Sequence, residues 1–397
     1  MAKILTINEA PRTTPPEGFA LWRLGFRPFY LLASSFAALS VLLWAAQLLG
    51  LAPHAWLAGP VWHAHEMLFG FTLALIVGFL FTAGRNWSDQ PTPTGPLLAG
   101  FAALWLAGRV LVLTPFSIAA AVVNVAFPLA AAIALAIPFW RARSKRNYFF
   151  VGLLMLMAGA QALVHLGQLG VVALPAWAGL QVGLDVVLFM LAVMGGRVIP
   201  MFTNNGIPGT QARRLPWLEK LALGGALALL AADALRLDGL AMAMLAGVTG
   251  ATHLARLALW QPWRTLRTPL VWVLHLGYAW VPVHLALRAL AALGLFAPNL
   301  AVHALTLGAI GVIGIGMMTR TARGHTGRPL KADASEVACY LLVAFAAVIR
   351  VLLPLLFPLD YLATVIASAL LWSAGFGLYA LRYWPVLSRP RLDGRPG

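Results

Sequence analysis

Charge is what this sequence has least of. Only 10% of its 397 residues are Asp, Glu, Lys or Arg, while 61% are hydrophobic; soluble globular chains carry about 25% charged residues. A soluble domain is therefore excluded. There is one cysteine, Cys339, which rules out an intramolecular disulfide and a cysteine-ligated iron–sulfur cluster; a buried, inert thiol is expected there. The short alternating segments of a membrane barrel are missing. So are a Gly-rich phosphate loop, an HExxH helix and a Ser-His-Asp arrangement, which removes support for nucleotide-driven transport and for zinc-peptidase chemistry. Residues 1–25 hold Lys3, Arg12, Arg23 and several prolines but no apolar h-region, so no cleavable signal peptide is expected.

What is present is a series of apolar runs, each long enough to cross a bilayer. Twelve spans are expected, at about 27–50, 61–83, 96–114, 117–140, 148–169, 177–200, 216–235, 239–259, 268–293, 298–319, 336–357 and 359–384. The fold class is an all-α integral membrane protein. Residues 1–26 form an N-terminal segment, 27–384 a polytopic membrane domain and 385–397 a basic tail. The net charge of +16 invites a nucleic-acid reading, but its placement argues against one. Arg141, Arg143, Lys145 and Arg146, then Arg213 and Arg214, Arg264 and Arg267, and Arg320, Arg323, Arg328 and Lys331 all fall in even-numbered loops, and Arg389, Arg391 and Arg395 in the tail. Arg236 is the clear exception. By the positive-inside rule both termini are cytoplasmic. Trp62, Trp177, Trp217, Trp263 and Trp384 lie near span ends as expected interfacial anchors. No internal repeat and no pair of helices interrupted in matching places, which would mark an inverted-repeat transporter, stands out.

Polar residues inside spans are costly and usually functional. The topology places His63, His65, Glu66, Asn124, His165, Asp185, Asp233, His284, Arg288, His303 and Arg350 in the outer third of their spans, and this coincidence of depth suggests one shared site. The stretch Trp62-His63-Ala64-His65-Glu66-Met67 combines imidazole, carboxylate and thioether groups, a metal-ligand set. On a regular helix His63, Glu66, Met67 and Gly70 share a face, and His65 points about 200° away. Gln161, His165 and Gln168 form a polar stripe. Near the other face lie Arg27, Arg197, Arg320 and Arg323; they are read either as topology signals or as partners of carboxylates such as haem propionates. His54 is expected in an outer loop.

Six strings together resemble the NnrS family: Trp62 to Met67, Gly25-Phe26-Arg27-Pro28-Phe29, Gly195 to Gly206, His275-Leu276-Gly277-Tyr278-Ala279-Trp280, His303-Ala304-Leu305-Thr306 and Gly316 to Arg328. They run from the first span to the tenth loop. The resemblance implies a bacterial inner-membrane protein that contains haem and copper and acts in denitrification and tolerance of nitrosative stress. The family's histidine positions map to His63, His65, His275, His303 and His325, with His165 beside them. His284 falls where relatives are expected to be apolar, and Phe81 to Trp87 departs from the family's pattern at Arg85.

A haem b protein with copper that binds and detoxifies nitric oxide is thus expected, with His63 or His65, His165, His275 and His303 as metal ligands. Glu66 is the expected proton donor or ligand orienter. The absence of Cys-x-x-Cys-His excludes covalent c-type haem. The expected partners are nitric oxide, the lipid bilayer and a quinol electron donor, with no nucleic acid. A haem-based sensor or NO-sequestering protein, and a transporter of copper, haem or an iron–nitrosyl species, are the alternatives.

Overall fold

A computed structural model describes residues 18–53, 56–357 and 360–394. Lys3, Arg12, His54, Pro358, Leu359 and Arg395 lie outside the described residues. The described chain is helical, with twelve long helices: α1 (Phe26–Leu48), α2 (Gly59–Ser88), α3 (Gly95–Leu111), α4 (Ser117–Arg141), α5 (Tyr148–Gln168), α6 (Ala176–Gly206), α7 (Pro216–Ala234), α8 (Gly239–Leu259), α9 (Pro269–Ala292), α10 (Pro298–His325), α11 (Ala334–Leu356) and α12 (Tyr361–Ser388). Ten are long and apolar enough to span a membrane. The other two are α3, with 17 residues, and α7, which carries Glu219, Lys220 and Asp233. Proline falls in the first turn of α2, α3, α7, α9 and α10, where its missing N–H costs nothing.

The two ends of the described chain meet on one face, where the Ala20 amide donates to the Ser388 carbonyl at 2.7 Å and the Leu392 amide to the Thr326 carbonyl at 3.1 Å. That is the arginine-rich face, as an even number of spans requires. Leu39, Val122, Ile133, Val248 and Leu370 are more than half exposed on the bundle's sides. So much apolar surface has no place in water, and it suits lipid. The tryptophans follow the same logic with one correction. Trp177, Trp217, Trp263 and Trp384 are more than half exposed, but Trp62 is buried and packs with Leu57, Val112 and Ala120. Cys339 is buried and free.

Each helix packs along its neighbours in sequence, α5 on α6 and α9 on α10 as closely as α4 on α5 and α8 on α9, and α1 lies along α12; in chain order the helices make three groups of four. One group is α2–α5, the next α6–α9, and the last α10–α12 with α1. Three long helices, α2, α6 and α10, line one cavity at the middle. α2 is π-helical from Glu66 to Thr72, and α10 from Ala304 to Gly311. Each segment starts directly after a histidine. When His65 is set over His303, Gly70 falls on Gly308, Gly78 on Gly316 and Arg85 on Arg323. The expectation of no matched, interrupted pair is corrected: α2 and α10 are such a pair. Their interruption is an i→i+5 widening rather than a break, and such a widening carries no Pro or polar flag in the sequence.

The glycines explain the close approach. A Cβ on Gly308 would stand 2.4 Å from the Trp280 ring, and one on Gly70 2.6 Å from Phe36. Gly308→Ala is expected to cost about 1–3 kcal/mol through overpacking. This would be read as a lower midpoint of heat denaturation in detergent. Gly100→Ala, which meets nothing within 4 Å, serves as control; equal midpoints for the two variants would contradict the packing argument.

Candidate functional site

A cavity of about 620 Å3 opens where α2, α6 and α10 meet, with walls completed by α1, α11 and α12. This is the size range of cofactor sites. His63 enters from α2 and stacks on Trp44 of α1, with ring centroids 5.2 Å apart and 14° between planes. His303 enters from α10, with its Nδ1 2.6 Å from the Asn299 carbonyl. A carbonyl only accepts, so the proton sits on Nδ1 and Nε2 keeps its lone pair, the arrangement that readies an imidazole for a metal. Arg350 enters from α11. Its Nη2 donates to the Tyr361 hydroxyl at 2.6 Å, while its buried Nη1 has no partner. No ion pair reaches it among the described residues. A buried guanidinium without a counter-ion is costly, so this cavity favours an anionic group on whatever it holds.

His65 takes no part in that cavity. It points into the α2–α5 group, where its Nδ1 lies 2.7 Å from Glu66 Oε1. Arg109 of α3 donates to the same oxygen at 2.9 Å and also to Asn124 of α4. Gln161 of α5 donates to Asn124 at 3.1 Å and reaches His65 Nε2 at 3.2 Å. The rings of His65 and His165 lie edge to face at 5.0 Å. His165 stacks on Trp56 with 7° between planes. The phase argument that grouped His63 with Glu66 is therefore corrected. His63 and Met67 face the cavity, whereas Glu66 faces Arg109 and a Cβ on Gly70 would meet that same arginine. Glu66 stands about 60° from His63 on the regular turn that joins them, enough to turn it from the cavity toward α3.

A third cluster fills the α6–α9 group. Arg288 of α9 bridges Asp185 of α6, at 3.1 Å, and Asp233 of α7. Gln181 donates to both carboxylates, at 3.3 and 3.0 Å, and also lines the cavity. His284 Nδ1 donates to the Ala301 carbonyl at 2.7 Å. The polar groups that shared one depth thus belong to three clusters and not to a single site: one at the cavity, one within α2–α5 and one within α6–α9. No three His, Cys, Asp or Glu side chains converge on one point among the described residues.

The remaining expected residues lie toward the basic face. His275 Nε2 hydrogen-bonds Thr203 at 2.8 Å. Arg27 donates to the Leu387 and Arg389 carbonyls at 2.9 and 2.7 Å. Arg197 reaches Asn147 at 3.5 Å and lies over the Phe149 ring. Arg320 lies 3.8 Å over the Phe202 ring, and Arg323 is paired with Glu336 at 2.7 Å. His325 sits against Phe26 with centroids 5.5 Å apart. None of these lines the cavity. The arginine that does is Arg350, a residue the sequence offered only as one polar group among many. Its signal was there: it is the one charged residue within the apolar run of its span.

In comparison with known proteins, the family model described as NnrS protein matches residues 20–391. No curated protein matches the chain.

Proposed function

From the premise that the chain belongs to the NnrS family, and so is a multi-pass membrane protein of the nitric oxide response, we propose that it binds haem b in the cavity between α2, α6 and α10 and uses it to bind and remove nitric oxide in the bacterial cytoplasmic membrane. What supports this reading is the cavity's donor set: two histidines on separate helices and one buried arginine without a counter-ion. Neutral imidazole is the usual axial ligand of b-type haem, and Arg350 suits a propionate. A bound haem would supply an iron that takes up nitric oxide and exchanges electrons, with a membrane quinol as donor.

The protein's own part is positional. Asn299 holds the His303 tautomer, and Trp44 holds the plane of His63. Gln181 joins the cavity wall to Asp185, whose Oδ2 has no partner. Glu66 is committed to His65 and Arg109 and serves the other group of helices.

The test is an absorption spectrum, oxidised and reduced, of protein purified from haem-replete cells. A Soret band and NO consumption with a quinol donor are expected. Lack of the band sinks the haem reading, and stoichiometric NO binding without turnover under any donor reduces the function to sequestering or sensing.

A further inference from the structure

A second hollow lies outside the bundle's core, on the side that faces lipid. It is a groove of about 660 Å3 between α1, α3 and α12, in their halves nearest the basic face. α1 packs closely along α12 but barely touches α3, and that gap is the groove. Along α1 it runs from Pro28 to Ser35, a rise of about 10 Å. Its wall is cut back by Ala99, Ala102, Ala103 and Ala380, and Trp22 and Trp384 stand at its basic end. Apart from those two indoles, Ser35 is the one polar side chain in the wall. A chain of methylenes suits such a groove, and a neutral ring that needs hydrogen-bond partners does not.

The basic end of the groove adjoins a crowd of like charges. Arg27 feels the charges of Arg23, Arg328 and Arg391, and Arg328 those of Arg323, Arg382 and Arg389. The carboxylates nearby, Asp333, Glu336 and Asp393, are taken up by Arg323, Arg382 and Arg391. No ion pair reaches Arg23, Arg328 or Arg389 among the described residues. Arg328 Nη1 is buried without a partner, whereas Arg23 and Arg389 are exposed. The backbone brings these two together: the Ala20 amide donates to the Ser388 carbonyl at 2.7 Å, and Arg27 donates to the Arg389 carbonyl at 2.7 Å. Arg23 follows Trp22 of the groove directly. The positive-inside rule accounts for arginines on this face, but not for their gathering, against mutual repulsion, at the mouth of an apolar groove.

We propose that the groove binds one anionic phospholipid from the leaflet on the basic side, with an acyl chain between α1, α3 and α12 and the phosphate on Arg23 and Arg389. Guanidinium groups bind phosphate oxygens in pairs, and basic pockets beside membrane helices suit anionic headgroups. Arg328 adds its unbalanced charge. A zwitterionic lipid would bring an ammonium group to the same arginines and lose much of the attraction. The site is independent of whatever the cavity between α2, α6 and α10 holds.

The experiment is native mass spectrometry of the full-length protein, stripped of lipid in detergent and titrated with phosphatidylglycerol or phosphatidylethanolamine of identical chains. Wild-type protein is expected to take one phosphatidylglycerol per chain at least about tenfold more tightly than phosphatidylethanolamine. The double variant Arg23→Gln, Arg389→Gln is expected to bind phosphatidylglycerol about 25-fold more weakly, about fivefold for each arginine. Arg23→Lys, Arg389→Lys keeps the charge and is expected to stay within about fivefold of wild type, which separates loss of charge from misfolding. Ala103→Phe fills the groove and leaves every arginine in place. Ala103 is exposed, so the added ring displaces no core residue, and this variant is expected to lose at least about tenfold as the chain is shut out. Glycerol phosphate, which has the headgroup phosphate but no chain, is expected not to compete. Equal affinity for the two lipids, a glutamine pair or Ala103→Phe that binds as wild type does, a lysine pair that loses as much as the glutamine pair, or competition by glycerol phosphate overturns the proposal.

Discussion

His303→Ala is expected to cost the protein its haem, with the Soret absorbance per chain falling by more than about tenfold, since losing even a ligand's supporting partner typically costs 10–100-fold in affinity. The reason is geometric. Among the histidines lining the cavity, His303 is the one whose proton is pinned, on Nδ1 by the Asn299 carbonyl at 2.6 Å, so its Nε2 is ready to ligate without reorganising. His63 has only its stack on Trp44 to hold it, so His63→Ala is expected to alter the spectrum with a smaller loss of absorbance. His65→Ala is expected to leave the Soret band as in wild type, because His65 faces the other helix group. If His65→Ala empties the protein of haem while His303→Ala does not, the division of the histidines between two sites is wrong.

Arg288→Met is expected to destabilise the fold by about 3–5 kcal/mol, the range found when one member of a buried ionic group is removed. Arg288 is the bridge between Asp185, 1% exposed, and Asp233, 14% exposed. Without it two carboxylates share a dry pocket with Gln181 as their remaining donor. Removing the charges together with the arginine, as Arg288→Met, Asp185→Asn, Asp233→Asn, is expected to recover most of the loss, since replacing a whole buried ionic set is often close to neutral. Heat denaturation of both variants in detergent decides this. A single variant as stable as wild type would mean that water or lipid headgroups reach the pair, and that the cluster is not dry.

The two histidines of the stretch from Trp62 to Met67 show where local reasoning stops. Their residue types and their depth at one end of a span were legible. So were their opposed directions, two residues being about 200° on a helix; their partners were not, because Trp44, Gln161 and His165 come from other helices, and the π segment begins only after them, at Glu66. The wider register is stabilised by contacts far away in sequence: Gly70 lets Phe36 and Arg109 approach, and Gly308 does the same for Trp280. Trp62 is a similar case. Its place at a span end read as an interfacial anchor, yet the loop at Leu57 and the ends of α3 and α4 cover it.

By itself the sequence determined the twelve long helices, ten of them long and apolar enough to span a membrane, and the family. Hydropathy adds up over a contiguous window and basic residues mark loops one at a time, so both signals are local, and the family's strings are contiguous as well. Tertiary structure alone decided that the polar residues at one depth fall into three clusters, that His63 and His303 share a cavity while His65 and His165 face each other elsewhere, and that Arg350 rather than Arg27, Arg197 or Arg320 stands at the cavity wall. Those outcomes depend on the azimuth at which each helix meets neighbours distant in sequence. A small change in winding turns a side chain from one helix group to the next without changing how apolar the span is.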